Sequence, residues 1–249
     1  MRYGIISDIH GNLEALEVVL RKLDGCDRWI CLGDIVGYGP NPNECCERVR
    51  ALDALCVHGN HDLAALGHYD ISWFNDWAAA AILWTQEQLT EENRAFLQNV
   101  PERQVVEDAQ LDFNFTVVHG SPRDPAEEYI TSAKDADEIF ERLTTPLCLV
   151  GHTHVAEYYV RAKGSLTCDR IHMNAGGLVS LKEDHHYIVN CGSVGQPRDR
   201  NPQASCGLLD TQARSVEIFR LDYPIGITQR KMRAEGLPDL LWQRLELGM

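Results

Sequence analysis

Five short apolar runs in this chain each stop at, or within a few residues of, a side chain that can bind a metal. "YGIIS" (3–7) ends at Asp8, with His10 two residues on, and "WICLG" (29–33) ends at Asp34. "ALCVH" (54–58) runs into Gly59, Asn60 and His61, "FTVVH" (115–119) closes on His119, and "LCLVG" (147–151) leads to His152 and His154. Runs of this length, bounded by turn residues, read as buried strands. In an open α/β sheet, ligands gather beyond the carboxyl ends of the strands. Side chains two residues apart in extended chain point to one side, so Asp8/His10 and His152/His154 each offer a pair of donors to one pocket. Polar residues are common after strands, but five coincidences mixing carboxylate, imidazole and amide do not fit unrelated loop residues. Carboxylate plus imidazole suits Mn, Fe or Zn better than an all-oxygen calcium site. Seven ligands from this set exceed what one tetrahedral zinc needs, which points to two divalent metal ions sharing a bridging carboxylate.

The segments between the runs set the fold class. Residues 12–24 place Leu13, Leu16, Leu20 and Leu23 on one helical face, with Asn12 as cap. A Pro/Asn loop (40–43) leads into a second expected helix, 43–52. This β-α-β-α-β alternation predicts parallel strands with crossover helices. The rhythm breaks at 72–99, which reads as two helices, the second starting near Thr90. Trp73, Trp77 and Trp84 are spaced for one helix face, which core packing explains; the functional reading is a cap leaning over a site. A helix at 134–143 follows, then antiparallel strands near 156–162, 166–173, 186–190, 205–209 and 215–221, and a helical tail (227–247) interrupted at Gly236 and Pro238. With no repeat or linker, the expectation is one α/β domain over 1–249 with a helical insertion at about 66–112.

Charge narrows the partners. Lys and Arg total 23 against 37 Asp and Glu, a net charge of −14. Such a chain repels polyanions, so nucleic acid is not an expected partner. A small anionic substrate stays open, because bound cations reverse the field at one site. No apolar run approaches the roughly 18 residues of a membrane span. Only seven residues precede Asp8, and they already read as strand, so a cytoplasmic location is expected. The nine cysteines include no C-x-x-C pair, and several (Cys31, Cys56, Cys148) sit in apolar runs, as reduced buried thiols do.

In order along the chain stand Asp8-Ile-His10, Gly33-Asp34, Gly59-Asn60-His61-Asp62, His119-Gly120 and Gly151-His152-Thr-His154. Together these five blocks resemble the calcineurin-like metallophosphoesterases; any one alone is a weak signal. The resemblance implies a four-layer α/β/β/α sandwich with a dinuclear site. One ion would take Asp8, His10 and His154, the other Asn60, His119 and His152, with Asp34 bridging. It implies that His61 is no ligand but faces the substrate at the leaving oxygen, and that Asp62 orients His61. "GDIVGYGPNP" (33–42) and "NCGSVGQPRD" (190–199) further resemble a small bacterial branch grouped with phosphodiesterases and dinucleotide polyphosphatases. Cys191 stands there where proline is expected. Gly192, Gly195 and Pro197 impose a tight loop. Arg198 after it either reaches a phosphate through its planar fork or pairs at the surface with an acid such as Asp199.

The expected activity is hydrolysis of a small phosphodiester or phosphomonoester, nucleotide-type, by hydroxide that the paired cations make available at neutral pH. A serine/threonine protein phosphatase and a non-catalytic binding module retaining the fold are the alternatives. His58 is expected in the interior; His68, His172, His185 and His186 are expected in loops or at the surface.

Overall fold

The computed structural model describes residues 1–107 and 114–249. Strands β1 (Arg2–Ile6), β2 (Arg28–Cys31) and β3 (Leu55–Cys56) run parallel, joined by helices α1 (Leu13–Lys22) and α2 (Pro42–Ala51). Asn12 starts α1 by accepting the Ala15 N–H, which satisfies one of the free donors of the first turn. After α3 (Asn60–Ala65), α4 (Asp76–Gln88) and α5 (Glu91–Gln98), a second sheet begins with β4 (Arg103–Val106), β5 (Phe115–Val118) and, past helix α6 (Ala133–Phe140), β6 (Leu147–Val150). β7 (Ala156–Ala162), β8 (Asp169–His172), β9 (Gly177–Ser180), β10 (His185–Cys191), β11 (Ala204–Asp210) and β12 (Ser215–Leu221) follow, then α7 (Ile225–Ala234) and α8 (Asp239–Gln243).

The strands form two six-stranded sheets, ordered β3-β2-β1-β11-β12-β9 and β4-β5-β6-β10-β7-β8. Ile5, Leu32 and Val57 of the first face Phe115, Val117, Leu149 and Val189 of the second in one apolar core. On the outer face of the first sheet, Leu16 and Val19 of α1, Val49 of α2 and Leu97 of α5 complete another cluster. Ile139 and Phe140 of α6 cover Val118, Val150 and Ile188 on the far side of the second. The layers are therefore helix, sheet, sheet, helix. Both faces of β5 and β6 are buried, which is why their sequences are continuous apolar runs. No helix among the described residues is long and apolar enough to cross a membrane.

Three sequence expectations change. β4 and β9 were not anticipated; both are four-residue edge strands with exposed positions, so neither carries an apolar run. The stretch expected as helical at about 66–112 holds α4 and α5 but ends in β4, and its residues 108–112 lie outside the described residues. The tryptophans do not share a buried helix face. Trp73 belongs to a 3-10 turn (Ile71–Trp73) before α4 and is 84% exposed, and Trp77 is 49% exposed. α4 instead buries Ala78, Ala81, Ile82 and Thr85, and Ala78 and Ala81 pack with Met232 of α7, Leu241 of α8 and Leu237 between them.

Candidate metal centre

The carboxyl ends of β1, β2, β3, β5 and β6 converge where the two sheets meet. The backbone there is under strain. Asp8, His10, Asp34, His152 and His154 all have positive φ, between 49° and 65°. That region costs a non-glycine residue of order 1 kcal/mol or more, and it persists only where the surroundings over-determine it. The surroundings are a lattice of loop bonds: Asp8 N–H to Gly33 O, His10 N–H to Asp34 O, and Gly151 N–H to His119 O. Gly33 (φ +91°) lies so close to the next loop that a Cβ would sit 2.4 Å from Gly59 N.

Asp8, His10, Asp34 and His154 bring donor atoms within 4.8 Å of one another, and so do Asp34, His119 and His152. Asp34 belongs to both groups. Its Oδ1 accepts the His61 N–H, whereas Oδ2 lies 3.5 Å from His10 Nε2 and 3.4 Å from His119 Nε2. Asp8 Oδ1 lies 3.3 Å from His154 Nε2.

Each of the four imidazoles has one ring nitrogen against a main-chain carbonyl: His10 Nδ1 with Val36 O, His119 Nδ1 with Leu32 O, His152 Nε2 with Glu127 O and His154 Nδ1 with Gln196 O. A carbonyl only accepts, so that nitrogen carries the proton and the opposite one turns its lone pair inward. Those inward nitrogens approach in pairs, His10 Nε2 to His154 Nε2 and His119 Nε2 to His152 Nδ1, each at 3.1 Å. Two lone pairs at that distance repel unless a proton or a metal cation lies against them.

Charge tells the same story. Burial pushes His10 and His154 well below the usual histidine range, and His152 down to about 3. These rings stay neutral, the form that ligates metals. Burial lifts Asp8 to about 6. Burial also opposes a charge on His119, yet Asp34 and Asp8 outweigh it and raise His119 to about 9, so the carboxylates draw positive charge strongly to this point. Asp34 Oδ2 and Asn60 Oδ1 are buried without a hydrogen-bond partner among the described residues. Oxygens with free lone pairs beside neutral imidazoles fit a divalent transition-metal site.

Asn60 and His61 open α3, and both line a cavity of about 250 Å³. Burial pushes His61 down to about 4. Its ring packs on Tyr38, His10 and Phe74, with centroids 4.4, 4.8 and 4.9 Å away. Asp62, expected to orient His61, directs Oδ1 to the Val36 N–H and Oδ2 to the Gly59 N–H, both at 3.1 Å. It ties two loops together, and its bearing on His61 runs through the backbone. Arg198 lines the cavity, bonded through Nη2 to Gln196 Oε1, while Asp199 pairs with Arg220. Reasoning from sequence missed Tyr129 and Arg244, which line the same cavity from distant parts of the chain. His58 is interior, bonded to Leu97 O, and Cys191 closes β10 as a buried thiol.

Fold and site together define a class: an α/β sandwich with a metal-binding cluster where its two sheets meet. The family model of the calcineurin-like phosphoesterase superfamily domain matches residues 1–214. The chain belongs to that superfamily, whose members are metal-dependent hydrolases of phosphoric ester bonds. It is 38% identical over 247 residues to an uncharacterised protein of Methanocaldococcus jannaschii, covering 98% of this chain and 97% of the other. It superposes on the crystal structure of a metallophosphoesterase from Sphaerobacter thermophilus with a TM-score of 0.88 at 43% identity, covering 100% of this chain and 99% of that one. A hypothetical protein from Pyrococcus horikoshii OT3 shares the fold, with a TM-score of 0.81 at 21% identity, covering 100% and 98% of the two chains.

Proposed function

We propose that the chain hydrolyses a small phosphodiester or phosphomonoester of nucleotide type at two divalent ions (Mn, Fe or Zn) that share Asp34. The observation that carries this is Asp34 Oδ2, without a hydrogen bond among the described residues and 3.5 and 3.4 Å from an inward nitrogen of each donor group. Asp8, His10 and His154 would hold one ion, and Asn60, His119 and His152 the other. Paired divalent ions supply Lewis-acid polarisation of a phosphoryl oxygen and a nucleophile at neutral pH.

The chain's residues do the rest. The His61 N–H fixes Asp34 Oδ1, so that only Oδ2 is shared. The carbonyls of Val36, Leu32, Glu127 and Gln196 lock each imidazole in one tautomer and orientation. His61 stands at the cavity as a neutral imidazole, able to hold a hydrogen bond to the leaving oxygen. Arg198 presents its guanidinium to the phosphoryl group in the same cavity. In a chain of net charge −14, these groups and the ions are the local attraction for an anion.

The test is to strip the protein with a chelator, reload it with Mn²⁺, and measure metal content beside hydrolysis of bis(p-nitrophenyl) phosphate and p-nitrophenyl phosphate. Two ions per chain and metal-restored turnover are expected. Turnover untouched by stripping, or none of either ester with metal bound, would overturn the reading.

A further inference from the structure

The cavity beside the donor cluster holds two arginines that belong to no common motif. Arg198 lies in the loop after β10, and Arg244 opens a 3-10 turn (Arg244–Glu246) beyond the residues the family model matches. Among the described residues, neither forms an ion pair with an Asp or Glu side chain. Arg198 spends Nη2 on Gln196 Oε1 at 2.9 Å and on Tyr38 Oη at 3.4 Å, and its Nε is buried with no hydrogen-bond partner among the described residues. Arg244 is anchored through Nε to the main-chain oxygen of Met249, which leaves its two Nη groups. Burial and the charge of Arg198 push Arg244 down to about 10, so the two guanidiniums repel each other where they stand. Like charges with no Asp or Glu side chain paired to either among the described residues, in a strongly acidic chain, favour an anion between them.

A single scissile phosphoryl group is already served by the donor cluster and Arg198. A second arginine in the same cavity suits a second anionic group linked to the first. The cavity also carries an aromatic route outward. Phe74 packs on His61 with centroids 4.9 Å apart, and the next residue out, Trp73, lines the cavity while 84% exposed. An indole that exposed has a face free to stack on a planar ring.

We propose that Arg244, beside Arg198, forms a subsite for a second phosphoryl group next to the scissile one, and that Trp73 seats an aromatic base, so that the preferred substrates are nucleotides with two or more linked phosphates. This rests on the phosphoesterase reading above and narrows its substrate class. Arg244 thereby gives the C-terminal segment a part in specificity.

The probes are two adenosine analogues in which carbon replaces every hydrolysable P–O linkage, one with a single phosphonate and one with a bisphosphonate. Each is titrated calorimetrically into the full-length, manganese-loaded protein. The bisphosphonate should bind about 10- to 100-fold tighter, the range one charge-assisted hydrogen-bonding group gives. Arg244→Gln should bring that ratio close to one, and Arg244→Lys, which keeps the charge but not the fork, should give an intermediate ratio and stands in if the glutamine variant fails to fold. Trp73→Ala should weaken both analogues about tenfold and equally. Equal binding by the wild-type protein, or a ratio that survives loss of Arg244, overturns the anion subsite; unchanged binding in Trp73→Ala overturns the base platform. Bis(p-nitrophenyl) phosphate and p-nitrophenyl phosphate have neither base nor second phosphate, so a failure to cleave both counts against the phosphoesterase reading, whereas the calorimetric ratio tests the subsite separately.

Discussion

Gly59→Ala should cripple the centre while leaving the fold largely intact. Gly59 has φ −98° and ψ 166°, extended backbone that alanine adopts freely. Elsewhere such a change stabilises a protein by about 0.4–1 kcal/mol, through the unfolded chain. Here the added Cβ would lie 1.9 Å from Asp34 Oδ1, 2.3 Å from Asp34 N and 2.6 Å from Asp34 Cγ. Asp34 N is backbone and cannot swing aside, and the short side chain's Oδ1 is pinned by the His61 N–H at 2.9 Å. Either the Asp34 carboxyl turns or the β3–α3 junction withdraws. Overpacking of this kind costs about 1–3 kcal/mol. Set against the unfolded-chain gain, the net is about 1–2 kcal/mol, a fall in melting temperature of about 2–8 °C for a chain of this length. The shared oxygen also shifts by a sizeable fraction of an ångström, and displacement on that scale costs of order 100-fold in rate. The assay pairs metal content after dialysis with turnover of bis(p-nitrophenyl) phosphate and a thermal scan. Gly164→Ala is the control: its φ is +84° and nothing lies within 4 Å of the new Cβ, so it strains backbone without touching the site. Wild-type metal content and turnover in Gly59→Ala would refute the reasoning. Equal metal loss in Gly164→Ala would assign the effect to general destabilisation instead.

Three further outcomes are expected. His61→Ala should lose about 100- to 1,000-fold in turnover with metal content unchanged, because the ring faces the cavity and makes no side-chain bond to the donor atoms; a parallel drop in metal would assign it to ligation. Asp34→Asn should lower occupancy at both metal positions, since one oxygen serves both groups; full retention of two ions, measured by elemental analysis, contradicts sharing. Asp135 accepts from Thr131 N, Thr131 Oγ1 and Ser132 N at the start of α6, and these bonds outweigh burial to hold it below the usual value of 3.8. Its contribution is therefore present above pH 3.8 and lost as pH falls through the lower folded value. Asp135→Ala should cost about 1 kcal/mol at pH 7, with the two melting curves merging in acid; a gap independent of pH would show that the carboxylate's charge is not involved.

The parts of this molecule written in contiguous residues could be read directly. Both faces of β1, β5 and β6 are buried, so each is an apolar run, and each run ends at its donor. What escaped depends on distance or on backbone conformation. β4 and β9 lie at sheet edges, where alternate side chains meet water and no run is needed. Arg244 reaches the cavity only because α4 packs against the C-terminal helices, a contact with no local signature. The positive φ of Asp8, His10 and Asp34 is imposed by neighbouring loops, and no residue type announces it. Trp73 and Trp77 misled in the opposite direction, because helical spacing was extended across a 3-10 turn into α4. The family resemblance implied that Asp62 orients His61; its carboxylate accepts from the Val36 and Gly59 N–H groups, a placement that no local pattern announces.

The donors do not all come from one sheet. Asp8, Asp34 and Asn60 follow strands of the first, and His119, His152 and His154 follow strands of the second. An occupied centre is thus a rivet between two slabs that otherwise adhere by greasy contact and a few polar bonds, such as Gln104 Nε2 to Cys56 O and Ser205 Oγ to Cys191 O. Shearing the slabs would tear the ligands apart, and pulling the rivet would free one rim of the joint to breathe. Metal loss and mechanical loosening should accordingly arrive together, beginning at the edge where the chemistry takes place.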